Sequence, residues 1–328
     1  MKKVAIIGAT TWGSTLGQML AKKGVEVALW ARTEVEAKTL RGTIANTQPP
    51  AEFSILTSLE QVLQSAATVI YAVPAQRLRQ NVRSTARFLD NSVILVSAAK
   101  GLEAESGKRM SEVIAEEVPF AVAQRICALS GPNLSKEINS GLPAVSVVAC
   151  NNLDIAKQVR ELLSCPGFSV YVSDDIVGVE LCGALKNVIA IGAGILDGLG
   201  LGNNAKAAFI TLGWSEVVRL GVALGAKAST FYGIAGLGDL IATGSSPLSR
   251  NYHVGYELAR GKSLSEVRTS MKQVAEGVDT AIAAYRLVGK LRLTAPIIDL
   301  IYGVLFESLP PAEVAKRFTD GITPDALL

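Results

Sequence analysis

The chain has 328 residues, 49% of them hydrophobic, and a mean hydropathy of +0.34, so it can bury a sizeable core and is not extensively disordered. Lysine and arginine number 32 against 29 aspartate and glutamate residues, and the resulting net charge of +3 is too small to indicate a nucleic-acid-binding protein. Any basic site must therefore be local, which suits a small anionic ligand.

The cysteines and the N-terminus indicate a cytoplasmic protein. Four cysteines are scattered without a C-x-x-C pair, which argues against a disulfide framework and against structural zinc. His253 is the only histidine, so we expect no metal site. The opening MKKVAIIGATTWG has a signal peptide's charge-then-apolar order, but an early glycine indicates a first strand instead. No apolar run reaches the roughly 18 residues of a transmembrane helix.

The first half of the chain predicts a mainly parallel sheet covered by helices. Continuously apolar strands that alternate with amphipathic helices are typical of that architecture. The predicted strands are KVAIIG, EVALWA, TVIYAVP, SVILVSAA, RICALSG, AVSVVAC and FSVYVS, and the helical stretches include QRLRQNVRSTARFL, GKRMSEVIAEEV and LDIAKQVRELL.

After about Asp175 the pattern changes to long helices with no convincing strand. Glycine is dense within these helices, which indicates close helix–helix contact or the approach of a ligand. We expect an α/β domain over residues 1–177 and an all-α domain over residues 178–328.

The segment VAIIGATTWGSTLGQML, from Val4 to Leu20, has the strand–turn–helix order of a dinucleotide site. The fingerprint G-x-G-x-x-G appears here as Gly8, Thr10 and Gly13, so its middle glycine is missing. Thr10 adds a side chain where backbone should approach a diphosphate, and its hydroxyl offers a hydrogen bond in exchange. The segment is either a cofactor turn or an ordinary βα turn.

The end of the second predicted strand bears on cofactor choice. An NAD site usually carries an acidic residue there to hold the ribose 2′-OH, but the sequence LWART has Arg32 and no acid until Glu34. An arginine suits a 2′-phosphate, which favours NADP(H) and leaves NAD(H) possible. The alternative is a solvated arginine after a strand.

Two stretches of the helical half carry candidate chemistry. Lys186 lies in the apolar, glycine-rich stretch ELCGALKNVIAIGAGILDGLG, where burial would lower its pKa into a range useful for proton transfer. A lysine that extends to solvent is the alternative, and Asn187 is equally ambiguous. Asp239 follows a Gly-x-Gly turn, so it is either a helix cap or a carboxylate that orients a buried lysine.

The segment SPLSRN supplies a hydroxyl, a guanidinium and an amide in succession, at Ser249, Arg250 and Asn251. These groups suit a phosphate, although a polar loop is the alternative. Lys100 and the Gly131–Pro132 turn each follow a predicted strand, where α/β sheets bind ligands. The residues alone indicate a two-domain, nucleotide-dependent enzyme with an anionic substrate.

Taken together, these segments resemble the NAD(P)-dependent glycerol-3-phosphate dehydrogenases of the bacterial type. The matching stretches, in the family's order, are GATTWG, AAKGLE, SGPNLSKE, CGALKNVIAIGAGILDGLGLGNNAKAA, GLGDL, SRN and VAEG. The resemblance implies a Rossmann-like N-terminal domain, a helical C-terminal domain and a homodimer. It also implies that the protein interconverts dihydroxyacetone phosphate and sn-glycerol 3-phosphate by hydride transfer at C2. This reaction supplies glycerol 3-phosphate for glycerophospholipid synthesis.

The resemblance also assigns roles to residues. Lys186 becomes the general acid/base, and Asp239 lies beside it. The positions implied for the substrate are Lys100, Gly131, Asn133, Asp239, Ser249, Arg250 and Asn251. The positions implied for the cofactor are Gly8, Thr10, Thr11, Trp12, Gly13, Arg32, Lys100, Ser135, Arg250, Val274 and Glu276.

Two segments depart from the family pattern. Thr10 replaces the middle glycine of the cofactor turn, and GPNLS replaces a segment that usually reads GP[ST][FY]A. We therefore expect weaker cofactor binding than in relatives with the usual turn. The departures leave two alternatives open: a non-catalytic protein that senses NADPH or a metabolite, and a dehydrogenase of the same architecture that acts on another small hydroxy substrate.

Overall fold

The computed structural model describes residues 3–45, 52–271 and 273–319. The chain divides into two compact units, each made of two segments. The first unit comprises Met1–Ala99 and Met110–Ile176, and the second comprises Lys100–Arg109 and Val177–Leu328. The segment Lys100–Arg109 is therefore part of the second unit, although strands and helices of the first unit flank it in sequence.

The first unit is built on one eight-stranded sheet. Its strands are β1 (Lys3–Ile7), β2 (Val27–Trp30), β3 (Phe53–Leu56), β4 (Ala66–Tyr71), β5 (Ile94–Ser97), β6 (Ile126–Ser130), β7 (Ala144–Ala149) and β8 (Phe168–Ser173). Their order is β3-β2-β1-β4-β5-β6-β7-β8, and every neighbouring pair is parallel except β6 and β7. The predicted, mainly parallel Rossmann-like sheet is confirmed.

Strand β3 is absent from the sequence-based prediction. It is a four-residue segment, FSIL, at the edge of the sheet, where it pairs with β2 alone. Only Ile55 of this strand is buried, so the segment lacks the continuous apolar run that marks the central strands.

Alternate residues of the central strands point to opposite sides of the sheet, and both sides are buried. Ile6 and Ile70 pack in one apolar cluster, whereas Ile7 and Tyr71 pack in another. The helices of this unit are α1 (Thr11–Lys22), α2 (Glu34–Ala45), α3 (Leu59–Leu63), α4 (Ala75–Ala86), α5 (Met110–Ala115), α6 (Phe120–Ala123), α7 (Ser135–Asn139) and α8 (Leu153–Leu163).

The second unit is helical in its described part, apart from an isolated β-bridge between Leu102 and Arg109. Its helices are α9 (Ile176–Gly198), α10 (Gly202–Ala223), α11 (Ala228–Phe231), α12 (Asp239–Gly244), α13 (Arg250–Ala259), α14 (Leu264–Ser270), α15 (Glu276–Leu291), α16 (Pro296–Phe306) and α17 (Pro311–Thr319). A π-helical turn, Ile234–Gly238, leads directly into α12.

Glycines let α9 and α13 approach each other closely, as their density in the sequence predicts. A Cβ atom on Gly255 of α13 would collide with the backbone oxygen of Ile191, and one on Gly194 of α9 would collide with that of Tyr252. Helix α9 is long and apolar enough to cross a membrane, but 89% of its apolar segment is buried inside the protein. The helix therefore belongs to the packed core of the helical unit.

Candidate active site

Helix α9 carries Lys186 into the interior of the helical unit. The lysine is only 4% exposed, and its neighbours Leu185 and Val188 are fully buried. The side chain therefore does not extend to solvent, which decides between the two sequence-based interpretations. A buried ammonium group needs a close anion or hydrogen-bond acceptors to offset the loss of hydration.

Asp239 supplies that anion. It is the first residue of α12, yet its side chain makes no capping bond to the helix backbone. One carboxylate oxygen, Oδ1, lies 2.5 Å from Lys186 Nζ, and the other, Oδ2, lies 2.8 Å from Lys100 Nζ. Asp239 is therefore a buried carboxylate shared by two lysines, and the interpretation as a helix cap is wrong.

Thr243 completes this group and was not predicted from the sequence. Its hydroxyl donates to Asp239 Oδ1 at 3.2 Å and also accepts a hydrogen bond from Lys186 Nζ. The signal for it was weak but present, because a residue four positions after Asp239 on a helix lies on the same face. A threonine in an apolar run gives no further hint of such a role.

Burial and neighbouring charges set the protonation of the pair. Burial lowers the pKa of Lys186 from 10.5 to about 8, repulsion from Lys100 and Arg250 acts in the same direction, and Asp239 opposes them. Burial would raise the pKa of Asp239, but the two lysines outweigh it and hold that pKa below its ordinary value. The site therefore contains an ionised carboxylate beside a lysine that titrates near physiological pH.

Asn187 ties this group to the segment that carries Lys100. Its side-chain Nδ2 donates to Lys100 O at 3.1 Å and to Gly183 O at 3.2 Å. The backbone of Asn187 lies against Gly277, where an added Cβ would lie 2.7 Å from Asn187 O. Its ambiguity in the sequence is resolved in favour of an anchoring role.

The SRN and VAEG motifs come together at the start of α15. Arg250 donates from Nη1 to Val274 O at 3.0 Å, and Asn251 Oδ1 accepts from Gly277 N at 2.9 Å. Ser249 caps α13 by accepting from the Tyr252 backbone N–H at 3.2 Å. The Ser249 hydroxyl and the Asn251 amide thus bind backbone N–H groups of α13 and α15. Arg250 is the exposed residue of the three.

In the sheet unit, the turn after β1 has the geometry of a dinucleotide cradle. Gly8 has φ +126°, and a Cβ there would lie 2.6 Å from Ala72 O. A Cβ on Gly13 would collide with Gly8 O. Both glycines are therefore required, and the turn leads into the N-terminus of α1 between β1 and β4, where the strand order reverses.

Thr10 fits this turn without strain, because its φ of −87° and ψ of 165° suit any residue. Its hydroxyl donates to Ala72 O at 2.8 Å and accepts from Gly13 N at 3.1 Å. The side chain caps α1 and its hydroxyl hydrogen is directed at Ala72. The Thr10 hydroxyl, which the sequence suggested as a donor to a phosphate, therefore donates to Ala72 O within the protein.

The remaining cofactor positions of this unit lie around the same turn and at the end of β2. Trp12 packs against Phe168 at 6.3 Å between ring centroids, and its buried Nε1–H has no hydrogen-bond partner among the described residues. Thr11 is exposed at the first position of α1. The Arg32 side chain is 75% exposed, and its Nη2 lies 3.3 Å from Glu36 Oε1. An open helix terminus, two essential glycines and a buried donor fit a dinucleotide.

The GPNLS segment follows β6 and is held to β7. Gly131 has φ +145°, and a Cβ there would lie 2.9 Å from Val145 O. Asn133 Nδ2 donates to Ser146 Oγ at 3.1 Å, and Ser146 Oγ donates to Ser130 O at 2.9 Å. Because the Ser146 hydroxyl already donates its hydrogen to Ser130 O, Ser146 Oγ can only accept from Asn133, which must therefore direct its NH₂ group towards the serine. The buried Oδ1 of Asn133 is then left without a partner among the described residues. Ser135 begins α7 nearby.

The structure therefore assembles the predicted residues into local groups within each unit. In the helical unit, Lys100, Lys186 and Asp239 form one hydrogen-bonded group, and Arg250 and Asn251 join Val274 and the helix that begins at Glu276. No group of three or more His, Cys, Asp and Glu side chains suited to a metal ion occurs among residues 3–45, 52–271 and 273–319. The first group has the parts for moving a proton and binding an anion.

Two family models cover nearly the whole chain. The N-terminus of NAD-dependent glycerol-3-phosphate dehydrogenase matches residues 3–156, and the C-terminus of the same family matches residues 175–316. Both matched regions contain the residue groups described above.

Individual relatives agree with these matches. A glycerol-3-phosphate dehydrogenase [NAD(P)+] from Dehalococcoides mccartyi is 49% identical over 98% of this chain and 91% of its own length. One from Pelotomaculum thermopropionicum is 43% identical over 98% of this chain and 94% of its own length. The crystal structure of the Coxiella burnetii glycerol-3-phosphate dehydrogenase has a TM-score of 0.91 at 31% identity, with coverage of 98% and 99%.

Proposed function

This chain belongs to the NAD-dependent glycerol-3-phosphate dehydrogenase family, and we propose that it interconverts dihydroxyacetone phosphate and sn-glycerol 3-phosphate with NAD(P)H. One observation carries the proposal: Lys186, with its pKa lowered to about 8, is buried in hydrogen-bond contact with an ionised Asp239. A lysine of that pKa can give up and regain a proton at physiological pH.

In the proposed mechanism, Lys186 is the general acid of ketone reduction. Its ammonium group donates a hydrogen bond to the C2 oxygen, stabilises the negative charge that develops there, and transfers a proton to it. In the opposite direction, the neutral amine accepts the proton from the C2 hydroxyl. A bound nicotinamide cofactor supplies or accepts the hydride at C2.

Asp239, Thr243 and Lys100 prepare Lys186 for this step. Asp239 Oδ1 and the Thr243 hydroxyl fix the direction of the ammonium group, since both contact Lys186 Nζ. Lys100 neutralises the other carboxylate oxygen and adds a second positive charge beside the developing oxyanion. The site thus carries a net positive charge that favours a dianionic phosphate ester.

Arg250 is proposed to hold the substrate phosphate. It is the exposed guanidinium of the SRN segment, and its Nη1 is oriented by Val274 O. A planar guanidinium can offer two parallel hydrogen bonds to phosphate oxygens. Ser249 and Asn251 support it by holding the backbone of α13 and the start of α15.

For the cofactor, the Gly8–Gly13 turn and the N-terminus of α1 are proposed to hold the diphosphate, and Arg32 the ribose end. We propose NADPH as the preferred cofactor, since the exposed Arg32 guanidinium follows β2, where a 2′-phosphate would bind. A homodimer, a cytoplasmic location and a role in glycerophospholipid synthesis are proposed on the family resemblance.

Absorbance at 340 nm tests the activity directly. Purified protein with dihydroxyacetone phosphate should oxidise NADPH, and Lys186→Ala should abolish the oxidation. Lys290→Ala is the matched control, because Lys290 is an exposed lysine in the last turn of α15. A folded wild-type protein that binds NADPH but turns over no substrate would overturn the proposal in favour of a sensing role.

A second candidate, a dehydrogenase for another small hydroxy substrate, rests on Asn133. Its buried Oδ1 acceptor stands where the family carries a serine or threonine hydroxyl. Turnover of non-phosphorylated dihydroxyacetone that equals or exceeds that of the phosphate ester would support this candidate. Asn133→Ser would then shift the ratio of the two activities towards the phosphate ester.

A further inference from the structure

The segment Lys100–Arg109, here called the lysine loop, is closed by contacts between its two ends. An antiparallel β-bridge joins Leu102 to Arg109, and Glu103 N donates to Lys108 O at 3.0 Å. Gly107, with φ +72°, turns the chain back and donates from N to Glu103 O at 2.8 Å. The loop therefore has a defined shape of its own.

The lysine loop is anchored in the helical unit by both apolar and polar contacts. Leu102 is fully buried in the unit's core, and Arg286 of α15 donates from Nη1 to Ala104 O at 2.9 Å. Gly107 faces Leu287 of the same helix. These contacts hold the middle of the loop, and α9 holds its ends.

Helix α9 grips the first and the last residue of the lysine loop from one face. Asn187 Nδ2 donates to Lys100 O at 3.1 Å. About two helical turns earlier, Glu180 Oε2 lies 2.7 Å from Arg109 Nη1, and the two side chains are 6% and 16% exposed. Residues two turns apart lie on nearly the same side of a helix, so one face of α9 holds both ends of the lysine loop, and Lys186 is next to Asn187 in sequence.

We infer that Arg109 and Glu180 form a positioning pair for the reaction, which keeps the lysine loop against α9 and so keeps the Lys100 ammonium on Asp239. The inference rests on the proposed function. A buried ion pair often adds little net stability, so a role in geometry is a better account of it than core stabilisation. Neither residue touches Lys186, Asp239 or the substrate in the proposed mechanism.

The consequence is electrostatic. The charged groups that act on Lys186 are Asp239, Lys100 and Arg250. With Lys100 in place, Asp239 is shared between two cations and Lys186 experiences a like charge nearby. If the loop loosens and Lys100 withdraws, Asp239 interacts with Lys186 alone, and the pKa of Lys186 rises.

The test compares the full-length wild type with Glu180→Gln. We expect the midpoint of the kcat–pH profile to move upward by about half a pH unit or more in both reaction directions. Adding Glu180→Gln to Lys100→Met should move the midpoint no further, since the pair acts through Lys100. Arg268→Ala, which breaks an exposed ion pair with Asp279 in the same unit, is the control and should not move it.

A readout without turnover separates this inference from the proposed function. Protein labelled with ¹³C at lysine Cε gives the pKa of Lys186 by NMR titration, with Lys186→Arg to assign the signal. That pKa should rise in Glu180→Gln even if the wild type reduces no substrate. If Glu180→Gln does not fold, Glu180→Asp and Arg109→Lys, which retain both charges, should show a smaller rise.

Two results would overturn the inference. One is a lower melting temperature with an unchanged Lys186 pKa, which would make the pair merely structural. The other is an equal shift in the wild-type and Lys100→Met backgrounds, which would mean that the pair acts on Lys186 by a route other than Lys100.

Discussion

Lys186 Nζ lies 2.5 Å from Asp239 Oδ1 in a site where the two side chains are 5% and 2% exposed. The carboxylate raises the pKa of Lys186, and the lysine lowers the pKa of Asp239. Both side chains also contact the Thr243 hydroxyl.

Turnover should depend on pH through Lys186, whose pKa is lowered to about 8. Reduction needs the protonated amine, so its kcat should fall as the pH rises through about 8, and oxidation should rise over the same range. Asp239→Asn removes the attraction that raises this pKa, so both midpoints should move down by about one pH unit or more. Steady-state kinetics between pH 6 and 10 measure the midpoints.

The control for this experiment is Asp279→Asn, which removes a carboxylate that pairs with Arg268 on the surface. Its profile should match that of the wild type. An unchanged midpoint in Asp239→Asn would show that Lys186 is not the titrating group.

Thr243→Val should lower kcat about 10-fold, because a hydrogen bond to a charged group contributes about 1.5 kcal/mol or more. The hydroxyl contacts both Lys186 and Asp239, and valine keeps its shape but loses those contacts. Thr243→Ser keeps the hydroxyl and should retain most of the activity. Equal activity of the valine and serine variants would show that the Thr243 hydroxyl has no role in the reaction.

Thr10→Gly should tighten NADPH binding about 3-fold, or by about 0.7 kcal/mol, because the backbone can then approach the diphosphate more closely. The same change should destabilise the fold by about 1 kcal/mol, since Ala72 O loses its hydrogen bond. Isothermal titration and thermal unfolding measure the two effects.

Thr10→Ser is the matched control, because it keeps the hydroxyl that bonds Ala72 O and Gly13 N. Its stability should remain close to that of the wild type. A dissociation constant for NADPH that is the same in Thr10→Gly and the wild type would mean that Thr10 does not weaken the cofactor turn.

Arg32→Ala should raise the KM for NADPH about 10-fold and leave the KM for NADH nearly unchanged, because only NADPH carries the 2′-phosphate. Arg41→Ala is the control, since Arg41 on α2 pairs with Glu34 instead. Initial rates with each cofactor give the ratio. An equal increase for both cofactors would contradict the role proposed for Arg32.

Local physics made much of the fold predictable from the sequence. The central strands are continuous apolar runs because both faces of the sheet are buried, and the turn after β1 needs glycine at Gly8 and Gly13. The edge strand β3 escaped prediction because a single buried residue, Ile55, leaves no pattern to detect. The family's motifs identified Lys186 and Asp239 as partners before any geometry was known.

The sequence by itself thus determined the order of seven of the eight strands, the glycine turn after β1 and the positions of the charged side chains in the chain. Only the tertiary structure decided which of those side chains meet and what charge they carry. Lys100, Lys186 and Asp239 come from three separate segments, and the pKa of Lys186 depends on how deeply the folded core buries it and on the distance to the other two. Burial and distance belong to the folded chain, because no local pattern in the sequence records them.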